Sequence, residues 1–193
     1  MRRLHVEESA ARNDEGVALF AAGRYREAVP QFEQALAGCR AVLGPDHAAT
    51  LTVAGNLGVA QVAAGQRRRG LKLVVDNLAD RIRVLGDDHP DTMTARDALA
   101  AVHRTQGNVD DAVAMSGKVA LQRARKLGPT HPDTLTSRMG LALAHAAAGD
   151  VSSAHRLLVA ALSDAEEAYG ARHSYTAMLL ECGHAWGLIG TGA

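Results

Sequence analysis

A repeat of 42 residues constrains this chain more than any other feature. Gly44, Gly86, Gly128 and Gly170 keep that interval, as do His47, His89, His131 and His173, and Thr50, Thr92, Thr134 and Thr176. A second glycine series, Gly23, Gly65, Gly107 and Gly149, runs in the same register without a slip. A fixed period of this size means that each unit is one supersecondary element, burying its apolar face against its neighbours. The two glycine series cut every period into two parts, for example Asp91 to Gln106 and Asn108 to Leu127.

Helical and β architectures share this period, and composition separates them. Propeller blades need short strands rich in aromatic and β-branched residues. Here aromatic residues are only 3% of the chain, and runs such as LALAHAAAG favour helix. The punctuation agrees. Pro90 and Pro132 sit where an N1 proline belongs, followed by Asp91 and Asp133 in the electropositive first turn. The mid-repeat glycines fall where a helix end needs a left-handed residue. Each unit therefore reads as an antiparallel pair, helix A then helix B. Leu57-Gly58, Leu99-Ala100 and Leu141-Ala142 place a leucine beside a small residue in helix A, and Ala28, Ala112 and Ala154 recur in helix B, the first with Phe32. The small residues let A and B touch closely. The leucines point into the core, each worth about 1.5–3 kcal/mol when buried. Pro30 lies inside the first B helix, removes a bond to the Arg26 carbonyl and predicts a mild kink.

The segments LGPDHAATL, LGDDHPDTMTARDALA, LGPTHPDTLTSRMGLA and YGARHSYTAML resemble the 42-residue tetratricopeptide repeats of kinesin light chains. They also resemble the repeats attached to actinobacterial nucleotide-switch (STAND-type) ATPases. The resemblance implies an all-α fold, a right-handed superhelix of antiparallel helix pairs, with four pairs and a C-terminal helix. One repeat domain over residues 1–193 is expected, with repeats at about 1–43, 44–85, 86–127 and 128–169 and a terminal segment 170–193. Helices 1A and 1B are expected over Glu8 to Leu43, and the final helix over Ser174 to Ile189.

The resemblance also implies a protein- or peptide-binding scaffold whose A helices line the concave side. The family's peptide-clamping asparagine column holds Asp14, Asn56, Ala98 and Gly140 here, so only Asn56 keeps an amide that can both donate and accept. The usual tyrosine column reads Leu19, Gln61, His103 and His145. Neighbouring columns supply Thr52, Thr94 and Thr136, then Asn13, Asp97 and Met139, then Val17, Val59 and Leu143, with Arg104 further along. The expected partner-binding set is Asn13, Thr52, Asn56, Thr94, Asp97, Arg104, Thr136 and Met139.

Charge and motifs remove other functions. Lys plus Arg equals Asp plus Glu at 21 each, so no net field draws the chain to nucleic acid or anionic lipid. Eighteen of the basic residues are Arg, which with the abundant Ala and Gly fits a GC-rich bacterial genome. Cys39 and Cys182 lack paired spacing and read as reduced thiols of a cytoplasmic protein. No apolar run follows the N-terminal arginines, and none approaches the roughly 18 residues of a membrane helix. No phosphate loop or nucleophile elbow occurs, so neither enzyme chemistry nor a cofactor is expected. The four loop histidines lie one repeat apart, too far to share a metal ion, and are expected to bond backbone at each helix start; no metal is expected at His145, His155 and His184 either. Asp87-Asp88 and Asp110-Asp111 read as helix caps and Glu166-Glu167 as a solvated surface pair. Arg67-Arg68-Arg69 opposes the dipole of the helix it opens, and reads as a solvated turn or a contact for an acidic partner.

The final helix, SYTAMLLECGHAWGLIG, has one acidic residue and no Lys or Arg. A terminal repeat needs a polar outer side, so Met178, Trp186 and Leu188 are expected oligomer contacts with Trp186 as anchor, in a homodimer or against a partner. Homo-oligomerisation is thus the alternative to a peptide-binding adaptor, and an enzyme or accessory protein of a biosynthetic pathway the third reading.

Overall fold

The computed structural model describes residues 2–188. Among them are nine helices and no strand: α1 (Arg2–Ala21), α2 (Tyr25–Leu43), α3 (Ala48–Ala63), α4 (Arg67–Leu85), α5 (Pro90–Gln106), α6 (Val109–Leu127), α7 (Pro132–Ala147), α8 (Val151–Tyr169) and α9 (Ser174–Ala185). Odd-numbered helices are of type A and even-numbered ones of type B. The chain divides into two compact units, Met1–Leu99 and Ala100–Ala193, with the boundary inside α5.

The 42-residue signature falls at the ends and starts of helices. Gly44, Gly86, Gly128 and Gly170 end the B helices with φ of 89°, 93°, 95° and 86° and ψ near 160°, a region closed to other residues. Gly65 ends α3 differently. Its φ is 90°, its N–H bonds the Val62 carbonyl and the Gln66 N–H bonds the Gln61 carbonyl, a Schellman closure repeated at Gly23, Gly107 and Gly149. The loop histidines cap the A helices. The Nδ1 atoms of His47, His89, His131 and His173 accept from the backbone N–H two residues on, at 3.1–3.3 Å, satisfying a donor that the first turn leaves open. The threonines are buried at 0–2% exposure. Thr50 and Thr176 tie helix A back to the preceding glycine, donating to the carbonyls of Gly44 at 2.7 Å and Gly170 at 2.9 Å; Thr92 donates instead to the Arg81 carbonyl at 3.4 Å, and the Thr134 hydroxyl is buried without a partner among the described residues.

In the first unit the core lies between α2 and its neighbours. Ala28, Phe32, Ala35 and Leu36 pack against Val53, Ala54, Leu57 and Ala60 of α3. Phe32 enters because residue 16 is glycine: a Cβ there would stand 2.7 Å from the ring. The second unit centres on Leu135 and Ala142 of α7, Ala154, Leu158, Ala161 and Leu162 of α8, and Leu179 of α9. Leu57 and Leu99 are core residues as expected, whereas Leu141 is half-buried.

Two boundaries differ from expectation. The first helix begins at Arg2, a turn and a half before Glu8. Pro30 lies inside α2, which runs from Tyr25 to Leu43, the placement expected. Helix α9 stops at Ala185, because Gly187 takes φ of 64° and the Leu188 N–H closes on the Gly183 carbonyl. The expected end at Ile189 lies outside the described residues. No helix of the described chain is long and apolar enough to cross a membrane.

Candidate partner-binding face of the A helices

In the first unit the A helices present a stripe from α3: Thr52, Gly55, Asn56 and Val59. These positions are three and four residues apart and so share one face. Two depressions flank the stripe. The one between α1 and α3, about 150 Å³, is walled by Val17, Phe20 and Val59 and reaches Phe32 beneath. The one between α3 and α5, about 220 Å³, is bordered by Thr52, Asn56 and Thr94 and floored by α4. Asn56 belongs to both.

Asn56 is held in place. Its Nδ2 donates to Asn13 Oδ1 at 3.1 Å, and Asn13 Nδ2 donates to Asp14 Oδ1 at 3.4 Å. Asn13 and Asn56, 43 residues apart in the chain, therefore form one amide pair across α1 and α3. The Asn56 side-chain oxygen accepts no hydrogen bond among the described residues, on a side chain that lines both depressions. Thr94 and Thr136 are exposed, but each hydroxyl proton is committed to its own helix, at the carbonyls of Pro90 (3.1 Å) and Pro132 (2.9 Å). To a ligand they offer an oxygen lone pair and a methyl group. Asp97 is half-buried in α5 and already engaged within the chain.

The floor of the α3–α5 depression carries a polar network absent from the sequence-derived set. Arg81 of α4 is 7% exposed. Its Nε donates to Asn77 Oδ1 at 3.2 Å, Nη2 lies 3.4 Å from Thr52 Oγ1, and Nη1 is 3.6 Å from the Asp91 carboxylate. Asn77 Nδ2 in turn donates to the Leu51 carbonyl at 2.7 Å. Burial pulls the Arg81 pKa down while Asp91 opposes the shift. The repeat register contained the signal. One column reads Cys39, Arg81, Arg123 and Ala165, and Arg123 is also buried, donating to Ser137 Oγ at 2.8 Å and the Asp133 carbonyl at 3.0 Å. Another reads Ala35, Asn77, Val119 and Ala161, one polar residue in an apolar file.

In the second unit the structure joins two residues expected at separate sites. The Arg104 guanidinium lies 5.1 Å from the centroid of the Trp186 ring. Trp186 is 44% exposed, while Arg104 is half-buried and has no carboxylate partner among the described residues. Cys182 sits beside them; burial pushes its thiol pKa up and Arg104 draws it back down. Arg104, Cys182 and Trp186 thus form a cationic patch with an aromatic face.

Several placements correct the sequence reading. Leu188 is not a surface contact: it is 5% exposed within the core of its own unit, and its carbonyl lies 2.6 Å from His155 Nδ1. Met139 is half-buried against that core, so little of it faces a ligand. Met178 is also half-buried. The Gln61 column does not face the groove. Gln61 is 1% exposed and turned toward the B helices, while His103 and His145 reach the residues that open α6 and α8, Asn108 at 3.3 Å and Asp150 at 3.2 Å. Arg67 and Arg68 are exposed, and Arg69 reaches across to Glu33 at 2.9 Å.

Comparison with known proteins agrees with this architecture. Sequence models of the tetratricopeptide repeat match residues 7–73 and, in a second form, residues 92–133 and 134–175, well over half of the chain. No curated protein sequence matches. Among solved structures, the chain is similar to kinesin light chain TPR-like repeats of Podosopora anserina, with 25% identity and a TM-score of 0.74 over 95% of this chain and 88% of the other. A second structure of those repeats gives 25% identity and a TM-score of 0.72, over 92% and 86%. BtubC (BKLC) from P. vanneervenii shares the fold at 18% identity and a TM-score of 0.70, over 86% of this chain and 65% of that one.

Proposed function

Because this chain belongs to the tetratricopeptide-repeat family, whose repeats mediate protein–protein interaction, we propose that it is a scaffold or adaptor holding a peptide or helix on its A-helix face. The observation that carries this reading is the Asn13–Asn56 amide pair between two depressions. An asparagine fixed by a neighbour loses little side-chain freedom on binding, so its remaining acceptor is pre-organised for a peptide N–H. Apolar side chains of a ligand fit the Val17–Phe20–Val59 depression, and its polar groups meet Thr52 and Thr94. Asp97, Thr136 and the exposed part of Met139 are secondary members of the set, and Arg104 with Trp186 forms a separate contact for a carboxylate or aromatic group. Recognition of this kind needs no bond-making chemistry and no cofactor.

The test is isothermal titration of a peptide selected from a displayed library against the full chain. An Asn56→Ala, Arg104→Ala variant stays folded and binds at least tenfold more weakly, since each lost polar contact to a ligand contributes about 1 kcal/mol or more. Unchanged affinity moves the site off the A helices.

Homodimerisation through α9 is the second reading, favoured by the exposure of Trp186. With Leu188 buried, the large apolar surface that the described part of this end offers a second copy is Trp186 with parts of Met178 and Leu180. Light scattering across a concentration series tests it.

A further inference from the structure

Gln61 is a buried carboxamide without a partner. It is 1% exposed, and neither Oε1 nor Nε2 has a hydrogen-bond partner. The equivalent side chains in the next two repeats, His103 and His145, reach Asn108 and Asp150. Gln61 instead lines a cleft of about 430 Å³ on the B-helix side of the first unit, between α2 and α4. A buried amide with one acceptor and two donors unused is costly to leave so, and a ligand that fills the cleft can satisfy it once the side chain turns out into the cleft.

The rest of the lining says what that ligand is. The floor is apolar: Leu36 and Ala37 from α2, Leu57 from α3 and Leu73 from α4. The rim is charged and unequally balanced. Arg69 is paired with Glu33 at 2.9 Å and Lys72 with Asp76 at 2.6 Å. Arg40, across the cleft, has no ion-pair partner among the described residues, and neither have Arg67 and Arg68 at the start of α4. Arg68 stands one helical turn before Lys72, on the same side of α4. Arg67 and Arg68 stand against the dipole of α4 and cost stability in the free chain, while Arg40 sits in the last turn of α2 on the cleft rim; all three attract an anion.

We propose that the α2–α4 cleft is a second docking site, distinct from the A-helix face, for an acidic segment of a partner protein whose amide group pairs with Gln61. A backbone or side-chain amide offers the donor and acceptor that Gln61 lacks. Acidic side chains of the segment meet Arg40 and Arg68 while its aliphatic parts cover Leu57 and Leu73. Nucleic acid fits less well. Glu33 and Asp76 would repel a continuous phosphate chain, and the lining has no aromatic ring on which a base could stack.

The experiment is fluorescence anisotropy on the full chain with a labelled peptide of alternating Glu and Gln. A peptide of alternating Lys and Gln and an oligothymidylate serve as controls. Saturable binding that weakens with salt is expected for the acidic peptide alone. Gln61→Leu, which keeps the volume and removes the amide, binds about tenfold more weakly, yet its Tm is unchanged or higher because an unsatisfied group has been removed. Arg40→Glu, on the exposed rim, weakens binding at least as much. The proposal is overturned by absence of saturation below ~1 mM, by equal binding of either control, or by full binding in Gln61→Leu. It is also overturned by a lowered Tm in that variant, which would mean that the amide is already satisfied inside the fold. A concentration-dependent dimer lost in Arg40→Glu would assign the cleft to a second copy of the chain instead.

Discussion

Adding one methyl group at two interior helix glycines has opposite consequences. At Gly70 in α4, a Cβ would stand 2.6 Å from the Gly58 carbonyl oxygen of α3 and 2.7 Å from the Val62 backbone nitrogen. Neither atom belongs to a side chain that can rotate away. Ordinary contact begins at 3.4 Å, so α3 and α4 must separate by most of an ångström at their crossing. Overpacking of this kind costs about 1–3 kcal/mol. The gain in helix propensity from Gly to Ala returns at most about 1 kcal/mol. The loss is bounded because the same columns hold Ala100 with Ala112 and Ala142 with Ala154, so the wider spacing is a geometry this repeat tolerates. Gly70→Ala should therefore destabilise by about 1–2 kcal/mol, and the midpoint should fall by about 2–4 °C per kcal/mol in a chain of this size. At Gly140 in α7 a Cβ meets nothing within 4 Å. Gly140→Ala should stabilise by about 0.5–1 kcal/mol through reduced freedom of the unfolded chain and better helix propensity. Thermal and urea unfolding followed by circular dichroism read both variants. A midpoint for Gly70→Ala at or above wild type, or one for Gly140→Ala below it, would refute the packing account of these glycines.

Other expected outcomes rest on single observations. Gly107→Val places a β-branched residue at φ of 86° with open space around it, so the cost is conformational and should exceed about 1 kcal/mol in urea unfolding. His131→Ala removes the acceptor that caps α7 and should cost about 1 kcal/mol, whereas His131→Asn, which can cap, should lose less. Both thiol pKa values are raised by burial, so the reactive thiolate is depleted at pH 8. Cys39 and Cys182 should therefore react with iodoacetamide more slowly in the folded chain than in denaturant. Arg104→Ala should shift the emission of Trp186, the single tryptophan, because the cation over its ring is lost.

The repeat and its helices were legible because glycine and histidine do local work in every unit, ending helices and capping them; threonine is buried in every unit and ties helix A to the preceding glycine at Thr50 and Thr176. Such tasks leave the same residue at the same phase in every unit. The groove was legible in part. The period shows that Asn56, Ala98 and Gly140 are equivalent, but it does not show which way a column points. Gln61 follows Asn56 by five residues, which rotates it about 140° around the helix and away from the groove. Carrying over a family's tyrosine position concealed that rotation. Arg81 and Asn77 were missed for another reason. They lie on a B helix, away from the columns that line the concave side, and buried arginine is rare unless paired; the recurrence of Arg at 81 and 123 was the available clue. Leu188 was misplaced because α9 is closed early by Gly187, and the shortened helix folds the following leucine back onto α8.

The central claim is that this chain holds its partner on the A helices, around Asn56. The most direct measurement is the backbone and side-chain amide NMR spectrum of the full chain, titrated with the library-selected peptide. The account predicts shifts concentrated at Asn13, Thr52, Asn56 and Thr94, with the Asn56 and Asn13 side-chain amides moving together because they share a hydrogen bond. Shifts confined to the B helices, or an Asn56→Ala chain that gives the same titration as wild type, would contradict it.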